Sequence, residues 1–145
     1  MVKIMNKEQF DKENVFGLGQ PNEAFAKYFI GNSYLNPLTD PKNTSVFLAN
    51  VTFEPGCRNN WHIHKSTNGG GQLLICTVGE GWYQEEGKDA ISLVPGMVIT
   101  IPANVKHWHG AKKDFWFSHI AVEVPGEDTE NIWLEPVFDE EYNNL

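Results

Sequence analysis

The sequence predicts an all-β domain, a sandwich or barrel built from short strands. From Tyr28 onward, apolar segments are cut at regular intervals by turn residues such as Gly, Pro and Asn. Short, evenly spaced strands of this kind are typical of β-sandwiches and β-barrels. Helical periodicity is almost absent, because only 6–13 could form a helix, with Asn6 as its N-cap.

The predicted strands follow one another in a regular order along the chain. The segment 72–78 (QLLICTV) is apolar at successive positions, so we expect it to be covered on both faces. The segments 81–84 and 90–93 flank 85–88 (EEGK), which predicts a hairpin with Gly at a position of positive φ. The remaining predicted strands are 28–30, 45–53, 97–101 and 116–124.

Size and composition indicate one folded domain that spans residues 1–145. About 100–200 residues is the usual size of a domain, and a chain with 41% hydrophobic and 21% charged residues is not disordered, collagen-like or a coiled coil. Residues 1–8 lack the apolar region of a secretory signal, and no apolar run approaches the roughly 20 residues of a membrane span. We therefore expect a cytoplasmic protein without a membrane partner.

The chain is acidic, and its charge is unevenly distributed. The net charge is −8, and eight of the nineteen acidic residues lie in 123–145, where Lys and Arg are absent. Such a chain is a poor partner for nucleic acid, and we interpret the acidic C-terminal segment as a solvated surface. Cys57 and Cys76 are too few for a disulfide framework, so we predict reduced, unreactive thiols.

The five histidines carry the functional signal. Two HxH pairs occur, His62-x-His64 and His107-x-His109, and His119 lies in a predicted strand. Residues i and i+2 of a strand point to the same face, so each pair presents two imidazoles to one point. Imidazole suits zinc, copper, iron and nickel. The pattern therefore predicts a transition-metal site that takes a further ligand from a neighbouring strand.

The spacing around these pairs resembles the two sequence motifs of the cupin family. Residues 56–79 read G-x5-HxH-x7-Q-x6-G, and residues 96–107 read G-x5-PxN-x2-H. The cupin motifs are usually G-x5-HxH-x3–4-E-x6-G and G-x5-PxG-x2-H-x3-N, so the second match extends to residue 111. The resemblance implies a jelly-roll β-barrel of two antiparallel sheets. We expect six to eleven strands, a short N-terminal helix and a C-terminal extension.

The resemblance also implies the ligands of a divalent metal: His62, His64, Gln72 and His107. Gln72 replaces the usual Glu and would bind through its amide oxygen. Because all four ligands would be neutral, the metal would be a stronger Lewis acid than with a carboxylate ligand. Four protein ligands and two open positions suit an octahedral ion, manganese, iron, nickel or cobalt, better than a closed zinc site. The resemblance favours manganese among these, with zinc still open.

The sequence departs from the cupin motifs at three further places. Seven residues separate His64 from Gln72 in place of three or four, which enlarges the loop 65–71 (KSTNGGG) beside the site. The composition of this loop predicts that it is mobile. Asn104 replaces a Gly, a substitution that the left-handed conformation tolerates. Ala111 replaces the final Asn.

Further segments narrow the resemblance to a subgroup of small bacterial cupins. The matching segments are VTFEPG (51–56), WHIH (61–64), KHWHGA (106–111), SHIA (118–121) and WxExVxDExY (133–142). Some members of this subgroup are manganese-dependent hydroxynitrile lyases. The resemblance implies a metal-dependent enzyme for a small carbonyl or hydroxy compound, a lyase or isomerase in which His109 or His119 moves a proton. Either histidine could instead make a structural hydrogen bond.

Two other functions fit the same sequence. An iron-dependent dioxygenase would use the same ligands. A non-catalytic cupin could bind a metal or small ligand as an accessory to a carboxymuconolactone decarboxylase-like or oxidoreductase system. In either case we expect a small-molecule partner. The apolar strand faces and the aromatic residues predict a homodimer, since cupins often pair through edge strands, and one or two of the five Trp residues are expected in the cavity.

Overall fold

A computed structural model describes residues 5–145 and confirms the all-β, jelly-roll prediction. Two antiparallel sheets face each other, accompanied by helix α1 (Lys7–Glu13) and helix α2 (Asp139–Tyr142). The strands are β1 (Gln20–Pro21), β2 (Phe29–Ile30), β3 (Ser33–Pro37), β4 (Phe47–Phe53), β5 (Arg58–Asn59), β6 (His62–Lys65), β7 (Asn68–Gly69), β8 (Gln72–Gly79), β9 (Gly81–Glu85), β10 (Ile91–Leu93), β11 (Val98–Ile101), β12 (His107–Ala111), β13 (Phe117–Glu123), β14 (Gly126–Glu127) and β15 (Glu130–Trp133).

The strand order distributes the two motifs over both sheets. Sheet 1 has the order β1-β3-β4-β13-β8-β11. Sheet 2 has the order β10-β9-β12-β5-β2, and β6 pairs with both β12 and β15 beside this path. Within residues 5–145, five of the fifteen strands are only two residues long, so the ten longer strands agree with the expected number.

The N-terminal helix forms where the sequence predicts it. Asn6 caps α1, because its Oδ1 accepts a hydrogen bond of 2.8 Å from the Gln9 backbone N–H. Phe10 points inward from the helix and stacks on Trp116, with ring centroids 5.3 Å apart. The helix thus covers part of the outer face of sheet 1. None of the helices in residues 5–145 has the length and apolar stretch that crossing a bilayer requires.

The prediction that 72–78 is covered on both faces is wrong. Burial alternates along β8, with Gln72 and Leu74 turned to the interior. Ile75 faces outward and is 36% exposed, and its cross-strand neighbour Val98 is 59% exposed. One face of this apolar strand therefore packs in the core, and the other faces an outer surface that the described residues leave partly exposed.

The loop 65–71 is anchored, in contrast to the expected mobile loop. The Asn104 side chain accepts a hydrogen bond from the Ser66 N–H and donates one to the Ser66 carbonyl, both at 3.0 Å. Asn104 has φ 68°, the left-handed conformation predicted for it. Gly71 has φ 90°, and a Cβ there would lie 2.4 Å from the Ile101 carbonyl oxygen. Between these two anchors, β7 pairs with β14.

The acidic C-terminal segment is more than the solvated surface that the sequence predicts. Arg58 is 4% exposed and donates from Nε and Nη2 to the Val137 carbonyl at 3.0 and 2.7 Å. Nη2 also contacts Asp139 at 2.7 Å. These contacts hold the chain before α2 against the outer face of sheet 2, where Trp108 and Tyr142 are buried.

Both cysteines are free, as predicted, and both are buried. Burial raises the pKa of Cys57 to about 12 and that of Cys76 to about 11. Both thiols therefore stay protonated and unreactive at neutral pH.

Candidate metal centre

A cavity of about 600 Å³ opens between the two sheets. Both sheets contribute apolar and polar side chains to its walls, and the β6–β15 pair borders it. Of the six site residues predicted from the sequence, five line the cavity: His62, His64, Gln72, His109 and His119. The sixth, His107, lies beside His62, with the two ring centroids 4.2 Å apart.

Three of these histidines form one cluster. One ring nitrogen from each of His62, His64 and His107 lies within 4.8 Å of the other two, and all three residues are buried. β6 supplies the first two from the same face of the strand, as the HxH spacing predicts. β12 pairs with β6 so that His107 stands opposite His62, which brings the third imidazole to the same point.

Hydrogen bonds orient each clustered ring through its Nδ1 atom. His62 Nδ1 donates to the Asn60 carbonyl at 2.8 Å, and His107 Nδ1 donates to the Val105 carbonyl at 2.9 Å. His64 Nδ1 donates to Asn131 Oδ1 at 2.8 Å. Because these acceptors have no proton to give, the proton resides on Nδ1 and the Nε2 lone pair is free. Metal-binding histidines are held in the same way.

The free lone pairs fit a divalent transition metal. The Nε2 atoms of His64 and His107 are buried, and no other described residue offers them a hydrogen bond. Burial and the neighbouring imidazoles lower the pKa of His62 well below its usual value, and burial lowers that of His107 to about 4. The rings of His62 and His107 are therefore neutral at pH 7, the form that binds a metal.

Gln72 lies at the start of β8 with its amide turned into the cavity. Its Nε2 donates to Glu123 Oε1 at 2.5 Å, whereas its buried Oε1 has no partner among the described residues. The acceptor that a metal would need is thus the atom left free. Its role as the fourth ligand stays a prediction.

The two remaining histidines lie deeper between the sheets, in contact with each other. Their rings meet edge to face with centroids 5.0 Å apart. Asn59 holds His109 by accepting from its backbone N–H at 3.0 Å and donating to its Nε2 at 3.2 Å. His119 is fully buried, and neither ring nitrogen has a partner in residues 5–145. Burial lowers the pKa of His119 to about 4 and that of His109 well below its usual value.

Comparisons with known proteins identify similar chains. No model of a protein family matches the sequence. A protein of Granulicella tundricola described as an (R)-mandelonitrile lyase is 39% identical over 118 residues, which cover 81% of this chain and 87% of that protein. The crystal structure of a cupin-like protein from Thermotoga maritima is 37% identical, with a TM-score of 0.77, and the match covers 90% of this chain and 96% of the other.

The chain belongs to the cupin family.

A more distant cupin shows that the fold persists at low identity. The cupin 2 conserved barrel domain protein from Rhodopseudomonas palustris is 14% identical, with a TM-score of 0.65 and coverage of 87% of this cupin and 81% of that chain. The resemblance inferred from the motifs around residues 56–79 and 96–111 is confirmed by the two matches at 39% and 37% identity.

Several residues of this cupin's site have no counterpart in the sequence prediction. The Trp133 ring stacks on the rings of His62 and Tyr28, with ring centroids 4.6 Å apart in both cases. Trp133 thus packs between Tyr28 and the first histidine of the cluster. Asn131 orients His64, and Asn59 orients His109. Of these, only Trp133 was signalled, by the expectation that one or two Trp residues line the cavity.

The arrangement combines two chemical functions in one cavity, metal binding and proton transfer. The cluster of three imidazoles can hold a metal ion, and a metal ion can polarise a substrate oxygen. The neutral His119 can accept a proton, because an unprotonated imidazole has a free lone pair. The apolar walls, including Phe29, Phe53 and Val51, suit a substrate with a hydrophobic body.

Proposed function

We propose that this cupin is a divalent-metal-dependent lyase that cleaves and forms the C–C bond between a nitrile carbon and a carbonyl carbon. One observation carries the proposal: a buried cluster of three histidines shares a cavity with a fourth histidine, His119, whose ring nitrogens have no described partner. The 39% identity to a protein described as an (R)-mandelonitrile lyase supports this reaction over others.

His62, His64, Gln72 and His107 would hold the ion. A bound divalent ion would supply Lewis-acid stabilisation of the negative charge that develops on the substrate oxygen. Gln72 Oε1 adds an oxygen donor to three nitrogen donors, and this mixed set with positions left for substrate supports manganese.

His119 would move the proton. Its imidazole takes the proton of the hydroxynitrile hydroxyl, and the O–H electron pair becomes the second bond of the carbonyl group. The C–C bond breaks and its electron pair leaves on cyanide, which then takes the proton back from the imidazolium. We assign this role to His119 rather than His109, because Asn59 already occupies Nε2 of His109.

The first experiment measures metal content. By elemental mass spectrometry, untagged wild-type protein should contain close to one equivalent of manganese or another divalent transition metal per chain. The variant His62→Ala/His64→Ala should lose it, whereas the matched control His119→Ala, which removes a buried histidine outside the cluster, should keep it. A folded wild type that takes up no metal would refute the proposal.

The second experiment measures the reaction. Manganese-loaded wild type should release benzaldehyde from mandelonitrile, and His107→Ala should abolish the release. Metal-replete protein without this activity would exclude the lyase. Consumption of oxygen with a catechol or flavonol by the iron-loaded protein would then favour a dioxygenase.

We also propose that the protein is a homodimer that pairs at the open edge of sheet 1. β11 is the last strand of that sheet, and Val98 on it is 59% exposed beside the exposed Ile75 of β8. An edge strand with exposed apolar residues is a ready surface for pairing. Val98→Lys should shift the sedimentation coefficient from dimer to monomer, and a monomeric wild type would refute the proposal.

A further inference from the structure

Gln72 and Glu123 form a hydrogen-bonded pair in the wall of the cavity. The two residues stand opposite each other on β8 and β13, and Gln72 Nε2 donates to Glu123 Oε1 at 2.5 Å. Gln72 is 8% exposed, and its Oε1 is buried without a described partner. Both side chains line the cavity that contains the histidine cluster.

A carboxylate next to an amide decides which end of the amide points away from it. An ionised carboxylate only accepts hydrogen bonds, so it takes the NH2 group and turns the amide oxygen to the opposite side. A neutral partner such as glutamine could accept from the NH2 group or donate to the oxygen, and both orientations would be populated. The acidic residue at position 123 therefore selects the orientation in which Oε1 is free.

The charge of Glu123 adds a second effect. Hydrogen bonds to a charged group are stronger than neutral ones, and a donating amide group becomes more polarised, which makes its oxygen a better donor to a cation. The cupin motif usually has a carboxylate at the position of Gln72. Here the carboxylate of Glu123 contacts the Gln72 amide from the neighbouring strand and acts through that amide.

We propose that Glu123 is a positioning residue for the metal centre: it holds the Gln72 amide with Oε1 toward the histidines and thereby raises the affinity for a divalent cation. This inference rests on the proposed metal-dependent function. Partners of metal ligands typically affect metal affinity by 10- to 100-fold.

The test is the affinity for Mn²⁺, measured by competition with a chelator on metal-free protein. Glu123→Gln should bind Mn²⁺ about tenfold more weakly than wild type. The exchanged pair, Gln72→Glu with Glu123→Gln, retains one carboxylate and one amide in hydrogen-bond contact. It should bind Mn²⁺ at least as tightly as wild type, because the carboxylate at position 72 then faces the histidines as an oxygen donor and the amide at position 123 holds it.

The matched control is Glu130→Gln, which also removes a carboxylate from the cavity wall but has no hydrogen bond to a predicted ligand among the described residues. It should bind Mn²⁺ as wild type does. Equal affinities of Glu123→Gln and Glu130→Gln, or an exchanged pair as weak as Glu123→Gln, would overturn the inference and leave the proposed function intact. A wild type that does not bind any divalent transition metal would overturn both.

Discussion

Each clustered histidine is oriented through Nδ1, but the oxygen acceptors differ in kind. His62 and His107 use the backbone carbonyl two residues earlier in the chain, whereas His64 uses the side chain of Asn131. The HxH spacing was sufficient to predict that His62 and His64 share a face. It could not predict Asn131, because that residue arrives from β15, a strand with no metal-site motif in its sequence.

His119 is expected to be important for activity and unfavourable for stability. We expect His119→Phe to lower mandelonitrile cleavage by at least about 100-fold, since general acid–base groups contribute 10²–10⁴-fold. Metal content should stay unchanged, because the ring lies outside the cluster. The same variant should be about 1–2 kcal/mol more stable, since it removes a buried polar group without a described partner. Steady-state kinetics and chemical denaturation measure the two effects.

Cleavage within threefold of wild type in metal-loaded His119→Phe would show that another group moves the proton. The comparison variant is His109→Phe, which removes the neighbouring ring and its hydrogen bond from Asn59. If only the His109 variant lost activity with its metal retained, the two roles would have to be exchanged.

Among the elements, the anchored loop 65–71 depends on one residue of the opposite turn. Asn104→Gly keeps the left-handed backbone accessible but removes both hydrogen bonds to Ser66. We expect a loss of about 1–2 kcal/mol, because a hydrogen bond contributes about 1 kcal/mol. Asn104→Ala should lose about 1 kcal/mol more, the cost of a Cβ in this conformation. Urea denaturation of the two variants gives the order, and an alanine variant as stable as the glycine variant would contradict it.

The C-terminal segment depends on Arg58 in a comparable way. Arg58→Met should destabilise the fold by about 2–4 kcal/mol, since it leaves the buried Val137 carbonyl without its two donors. Asp139→Asn should cost less than about 1 kcal/mol, because Asp139 is 79% exposed and its ion pair is screened by water. Thermal unfolding of both variants tests the difference. Equal losses would mean that the ion pair, not the carbonyl contact, carries the stability.

The strands could be predicted from the sequence more fully than their surroundings. Strand positions follow from alternating apolar residues and turn residues. The hairpin turn, with Gly87 at φ 81°, was predicted from the four residues 85–88 (EEGK). The cover over each strand could not be predicted in this way. The outer face of β8 is open at Ile75, whereas the outer face of β12 is covered by Val137 and Tyr142, and neither fact is encoded within the strand itself.

For the whole molecule, buried neutral histidines make stability depend on pH. His119 has a pKa of about 4 in the folded protein and about 6.5 in the unfolded chain. Above pH 6.5 neither state binds the proton. Between pH 6.5 and 4 only the unfolded state binds it, so the free energy of unfolding falls as the pH falls. The contribution of His119 over this window is about 3 kcal/mol.

Metal-free wild type should therefore lose stability between pH 6.5 and 4 more steeply than metal-free His119→Phe. Urea denaturation at a series of pH values measures both curves. Parallel curves would mean that His119 titrates alike in the folded and unfolded states.

At the scale of the molecule, the sequence predicted the class of fold through its motifs but not the pairing of β6 with β15, which joins segments about 65 residues apart.

Because the loop 65–71 is anchored at both ends, its length can change without moving the predicted metal ligands. Asn104 fixes the end next to His64, and the close approach of Gly71 to the Ile101 carbonyl fixes the end next to Gln72. Between them, β7 and β14 form a short ladder of their own. We therefore expect insertions and deletions in 67–70 and 127–129 to change what reaches the cavity without disturbing the imidazoles.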